Sequence, residues 1–187
     1  MARMKTYAFA ILISLATTPL QAETCPAAPD HTDELSALIS AVQGAENERD
    51  ARLISNDMWT YWADAPDEYS QELLDTGMER RRVADYAGAA KAFDALVDYC
   101  PDYAEGYNQR AFINFLREDF NAALPDLERT IDLSPRHVAA LAGKALTLAA
   151  LDRNAEAVLS LRRALALNPW LSERHLLPVL ERNEDEL

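Results

Sequence analysis

Three histidines and two cysteines are the side chains with the most chemistry to offer, and their spacing limits what that chemistry is. His31, His137 and His175 are scattered, and none has a second histidine, a cysteine or a carboxylate at the spacing of a metal ligand set. Five glycines form no phosphate-cradling loop, and no nucleophile sits in a strand–turn–helix context. The many carboxylates are expected on outer faces as solvated charge. These features point away from an enzyme, and they call for neither a metal nor a cofactor. The cysteines are more informative. Cys25 and Cys100 make an even count, which in an exported chain implies one internal bridge. Such a bridge would tie an N-terminal arm to the body of the protein, and loop closure would make it worth roughly 4 kcal/mol at most. Two free thiols, or Cys25 joined to another chain, are the alternatives.

Export is read from the first 22 residues. Arg3 and Lys5 supply a charged start, Tyr7 to Leu20 is apolar and uncharged, and Leu20-Gln21-Ala22 makes a cleavage point after Ala22. A membrane anchor is the alternative, but the apolar run is too short to span a bilayer comfortably, which needs about 20 residues, so cleavage is favoured and no membrane insertion is expected after it. Cys25 does not follow the cleavage site directly, which argues against lipidation. Glu184-Asp185-Glu186-Leu187 departs from an endoplasmic-reticulum retention tail at its first residue and is read as an acidic, frayed end. Losing Arg3 and Lys5 with the leader takes the formal net charge from −13 to −15. That charge repels phosphate backbones and anionic headgroups, so nucleic acid is not the expected partner and a protein segment is.

The elements that position these residues repeat. Tyr69, Tyr103 and His137 stand 34 residues apart, as do Gly77, Ala111 and Ala145, then Ala89, Ala123 and Ala157, then Phe93, Leu127 and Leu161. Pro101, Pro135 and Pro169 close the units. Within the middle unit Tyr107, Ala111, Asn114 and Phe115 follow a helical period, Glu118-Asp119-Phe120 breaks it, and Ala123, Leu127, Thr130 and Ile131 restart it. Each unit is therefore a helical hairpin whose small residues allow close approach, and hairpins of this kind must stack to bury their apolar faces. The units run 70–103, 104–137 and 138–171. Before them come an extended arm at 23–32, with Pro26 and Pro29, and a helical pair at 33–66 that is either a degenerate unit or an unrelated cap. The aromatic group Trp59, Tyr61 and Trp62 is expected to pack on the first full repeat. Pro125 early in a helix predicts a mild kink. Residues 172–187 are read as a capping helix, N-capped by Ser172 and shortened or bent by Pro178, followed by a loose acidic tail.

This period and residue pattern resembles the tetratricopeptide repeat (TPR) family. The resemblance implies an all-α, right-handed α-solenoid of stacked antiparallel helix pairs, used in bacteria as in other organisms to hold a protein or peptide partner in a concave groove. Family geometry places Leu74, Met78, Arg81 and Arg82 in that groove from the first unit, Asn108, Phe112, Phe115 and Leu116 from the second, and Leu146 from the third. The chaperone-binding subgroup holds a peptide carboxylate with Lys and Asn, but here Leu74, Met78, Gln109, Ala139 and Gly143 occupy those places, so that clamp is missing. The expected groove is mostly apolar with a two-arginine end, suited to an apolar segment bearing an acid toward the first repeat. Some of its residues have a second reading, as packing groups or as a seat for the protein's own termini. The function expected is an exported scaffold or adaptor, periplasmic if the source is bacterial. A structural subunit of a stable envelope assembly with no peptide ligand, or an enzyme accessory factor, are the alternatives. Oligomeric state and partner identity stay open.

Overall fold

The computed structural model describes residues 24–185, with side chains through Arg182; the expected leader at 1–22 lies outside the described residues. Among the described residues the structure is all-helical, with no strand and no helix long and apolar enough to cross a membrane. Three helix pairs form its body: α3 (Glu68–Arg82) with α4 (Tyr86–Tyr99), α5 (Ala104–Leu116) with α6 (Phe120–Leu133), and α7 (Val138–Ala150) with α8 (Asn154–Leu167). Consecutive pairs lean on each other through α4 against α5 and α6 against α7.

The turn inside each pair is built the same way. Ala84, Glu118 and Asp152 adopt φ of 59°, 60° and 58°, and the next residue's N–H reaches back to Arg80, Asn114 or Leu148. This bond closes a helix by the Schellman arrangement, whose left-handed position favours glycine, yet none of the three is glycine. Asp85 and Asp119 then cap the second helix by accepting from the N–H of Gly88 and Ala122, whereas Arg153 makes no such cap on α8. The chain continues as α-helix through Pro125.

The small residues of the repeat are buried contact points: Ala89, Ala111, Ala123, Ala145 and Ala157 are all in the core. Gly77 makes room for a ring. A Cβ built there would stand 2.3 Å from Cε1 of Phe93, itself fully buried. Not all carboxylates are solvated, contrary to expectation: Glu105 and Asp126 are buried. Asp126 is held by Arg110, which also reaches Asp94, and the two carboxylates raise the arginine's pKa.

The N-terminal pair, α1 (Thr32–Gln43) and α2 (Glu48–Trp62), does not stack ahead of the first repeat as a degenerate unit would. It lies along the edge of the stack where the first helix of each pair begins. Ile39, Val42, Ala51, Met58 and Trp62 form a core with Val138, and Leu167, Trp170 and Leu171 pack on it from the third repeat. Gln43 donates to the Ala166 carbonyl at 2.7 Å, Asn168 to Ser55 at 3.0 Å, and Arg136 to Ser36 at 2.6 Å. The hairpin thus straps all three repeats together. Trp62 is its centre. Its backbone carbonyl accepts from the Tyr103 hydroxyl at 2.8 Å, and its ring stacks on His137 at 4.2 Å. Tyr103 and His137 hold the same register position in successive repeats, as N-caps of α5 and α7. Trp62 therefore packs across the stack rather than on the first repeat alone, while Tyr61 meets the ring of His31 and Trp59 stays exposed.

Ahead of α1, residues 24–31 are irregular, and the Cys25–Cys100 disulfide fixes them to the end of α4, with a Cα–Cα distance of 5.1 Å across a sequence separation of 75. At the other end Ser172–Leu176 is a 3-10 turn and α9 runs Leu177–Asp185. The expected Ser172 cap is absent, since its hydroxyl points to Glu173. Pro178 falls in the first turn of α9, where a missing N–H costs nothing, so it neither shortens nor bends the helix.

Candidate functional site

The inner helices α3, α5 and α7 face an open groove of about 440 Å³. Its floor comes from α5 and α7, one wall from Trp59 of the strap, and its far end from Leu171 to Glu173. Five of the nine expected groove residues line it together: Arg81, Asn108, Phe112, Phe115 and Leu146.

The other four do not. Leu74 is fully buried, in a cluster with Phe93, Ala65 and Tyr103, because the link from the strap to α3 covers that end of the helix. Met78 packs against the same cluster. Arg82 turns outward and grips Glu79 with two bonds of 2.7 Å, so the two-arginine end reduces to one arginine. Leu116 is at the helix end, partly exposed and outside the groove.

Phe112 is the most open apolar group on the floor, 43% exposed. Arg81 lies over its ring at 5.1 Å and donates to Gln109 Oε1. Half-burial lowers the Arg81 pKa, an effect that the charge of nearby Glu105 opposes. Phe115 is committed in part to packing, edge-on to Phe120 at 5.3 Å. Asn108 and Gln109 both donate to Glu105, whose other oxygen lies 2.9 Å from His137 Nε2. His137 Nδ1 accepts from the Ala140 N–H, capping α7, so the ring proton sits on Nε2 and points at the carboxylate. A polar row from Arg81 through Gln109 and Glu105 to His137 therefore underlies the groove and ends on the stacked Trp62. His137 does have a carboxylate partner, which its sequence neighbours could not disclose because Glu105 is 32 residues away.

Trp59, Thr147 and Glu173 line the groove without having been expected there, while Gln109, which family geometry put at a clamp position, lines it as well. Thr147 Oγ1 is buried with no hydrogen-bond partner among the described residues. Also among the described residues, no group of three His, Cys, Asp or Glu side chains is arranged to hold a metal ion.

No family model matches the sequence. A tetratricopeptide repeat protein 36 homolog of Nematostella vectensis is 41% identical over 66 residues, 35% of this chain and 36% of that protein. A TPR repeat-containing protein of Rhizobium etli is 29% identical over 117 residues, 61% of this chain. The match covers 56% of that protein, so the chain spans about a third and just over half of the lengths of these two relatives. Among solved structures, the TPR2B domain of yeast Sti1 in complex with an Hsp70 peptide superposes with a TM-score of 0.57 at 24% identity, covering 64% of this chain and 98% of that one. The first TPR of Spaghetti (RPAP3) bound to an HSP90 peptide gives 0.62 at 20%, covering 63% and 94%. MamA of Desulfovibrio magneticus gives 0.58 at 17%, covering 82% and 86%. At these identities the likeness is one of fold, a stack of helical repeats.

Proposed function

Because this chain is built of tetratricopeptide repeats, we propose that it is a protein-binding module, an exported scaffold or adaptor that holds a segment of a partner protein in the groove between α3, α5 and α7. The observation that carries the reading is the open ring of Phe112, backed by Arg81, on the floor of a groove that none of the described residues fills. An exposed ring in a concave apolar site is a poor surface in water until another molecule covers it. Two of the fold neighbours are bound to peptides, which supports a peptide-binding use of the fold here. Export rests on the leader, and it places the partner outside the cytoplasm, in the envelope if the source is a bacterium.

A photo-crosslinking side chain at Phe112, compared with one at Leu159 on the outer helix α8, tests the reading in the native compartment. Partner adducts should form from position 112 and not from 159. Contacts confined to the outer helices would defeat the groove and favour a structural subunit with no peptide ligand.

A further inference from the structure

The groove is polarised, and its polarity describes what fits it. Arg81 stands at the first-repeat end and Glu173 beyond the third repeat, with Trp59, Phe112 and Leu146 between them. Arg80 and Arg82 on either side of Arg81 are each paired with a carboxylate of their own helix or turn, Asp85 and Glu79. Among the described residues Arg81 makes no ion pair; its one polar partner there is the neutral Gln109, and the nearby Glu105 is already engaged by Asn108, Gln109 and His137. Among the described residues Glu173 likewise makes no ion pair, its carboxylate meeting the neighbouring Ser172 hydroxyl. A half-buried guanidinium with no carboxylate in direct contact, only the field of Glu105, keeps donors to offer, and its planar fork matches a carboxylate.

Resting on the groove reading, we propose that the bound segment is bipolar: an acidic residue against Arg81, a bulky apolar residue over Phe112 and Leu146, and a basic residue against Glu173. A purely acidic segment does not suit a chain of net charge −13, whose long-range field opposes it. A purely basic one leaves Arg81 unanswered. Adjacent inner helices stand about 8–10 Å apart, so two steps from α3 to α7 correspond to about five residues of extended chain at about 3.3 Å each.

The probes are fluorescein-labelled nine-residue peptides with a central Phe-Leu: one carrying Asp and Arg five residues apart, its Asn/Gln isostere, and doubly acidic and doubly basic versions. Anisotropy on the full chain should rank the bipolar peptide about tenfold tighter than the isostere, the sum of two partly exposed pairs, and above both single-sign peptides. Arg81→Gln should erase the gain from the acid alone, and Glu173→Gln the gain from the base alone. Arg81→Glu combined with Glu173→Arg should recover the bipolar preference, since a peptide can enter in either direction. Thermal unfolding of each variant guards against loss of fold. If all peptides bind equally and Phe112→Ala abolishes binding, the polarity is wrong while the groove stands. If no peptide binds, or Phe112→Ala changes nothing, the groove reading itself falls. A concentration-dependent dimer that Phe112→Ala disperses, with no peptide uptake, would instead assign the groove to a second copy.

Discussion

Replacing Trp62 by alanine should loosen the third repeat, although Trp62 precedes the first in the chain. The indole is 8% exposed, so nearly all of its surface is lost from contact on truncation. Burial of about 150–250 Å² at about 25 cal/mol per Å² comes to about 4–6 kcal/mol, which the measured range for aromatic-to-alanine changes trims to about 4. For a chain of this size that corresponds to a fall in Tm of about 8–16 °C. The same ring stacks on His137 and meets Trp59 edge-on at 5.4 Å, so its loss removes the support of the groove wall as well as the strap's hold on the core. Hydrogen exchange followed by mass spectrometry should then show lost protection in α1 and α2 and also around 164–171, where Gln43 and Ser55 bond to Ala166 and Asn168. A Tm change below about 3 °C would refute the burial argument. Loss confined to α2 and α3 would refute the strap as a link between the first and third repeats.

Gly77→Ala should destabilise by about 1–2 kcal/mol, overpacking against Phe93 outweighing a helix-propensity gain of about 1 kcal/mol, whereas Gly143→Ala meets only a flexible Leu127 tip at 3.1 Å and should be neutral or mildly stabilising; equal Tm values for the two would contradict the packing. Glu118→Gly, at the left-handed turn of the middle repeat, should raise stability by up to about 1 kcal/mol in chemical denaturation, since that conformation costs an L-residue about 1–2 kcal/mol; a loss would show that the turn is held by the glutamate side chain instead. Protein recovered from the exported fraction should begin at Glu23 and weigh about 2 Da less than its reduced form through the Cys25–Cys100 bridge, and reduction should lower Tm; free thiols or a retained Met1 would count against export with an internal bridge. Asp67 accepts from the Ser70 N–H, the Ser70 hydroxyl and the Tyr99 hydroxyl, bonds that hold its pKa below the ordinary 3.8. Its stabilisation is therefore complete above about pH 4 and is lost as pH falls through the lowered value, so Asp67→Asn, which keeps a cap but does not titrate, should flatten the acid limb of a Tm–pH profile.

The three repeats could be read from sequence because each contact that makes a helix pair is local. Ala89, Ala123 and Ala157 recur with Phe93, Leu127 and Leu161 at one offset, and the spacing itself encodes which residues meet. The groove was half legible for a related reason: the repeat register, through the family geometry it implies, puts Phe112 and Arg81 on the inner face. The burial of Leu74 was not legible, because what covers it is Ala65 and Tyr103, brought there by a chain link with no period. The strap was out of reach altogether. Four of its bonds span 100 to 126 residues, from Ser36 to Arg136 at the short end to Glu48 to Arg174 at the long one, and no repeat relates the partners. One sign of it was present, in that Gln43 and Ser55 stand where a true repeat needs small residues. A pair that cannot approach closely has to dock elsewhere.

The strap is also a ruler. The 12 residues of α1 make a rod of about 18 Å, close to two steps of about 8–10 Å between neighbouring helices. That length carries the chain from His31, beside Asp64 ahead of the first repeat, to Gln43, at Ala166 on the third. Open stacks of repeats accept an added or deleted unit because each unit consults only its neighbours. Here a duplicated middle repeat would move one landing point a full step beyond the rod's end, and a deleted one would leave the rod overhanging. Three is therefore the number of repeats at which both ends of α1 find their seats.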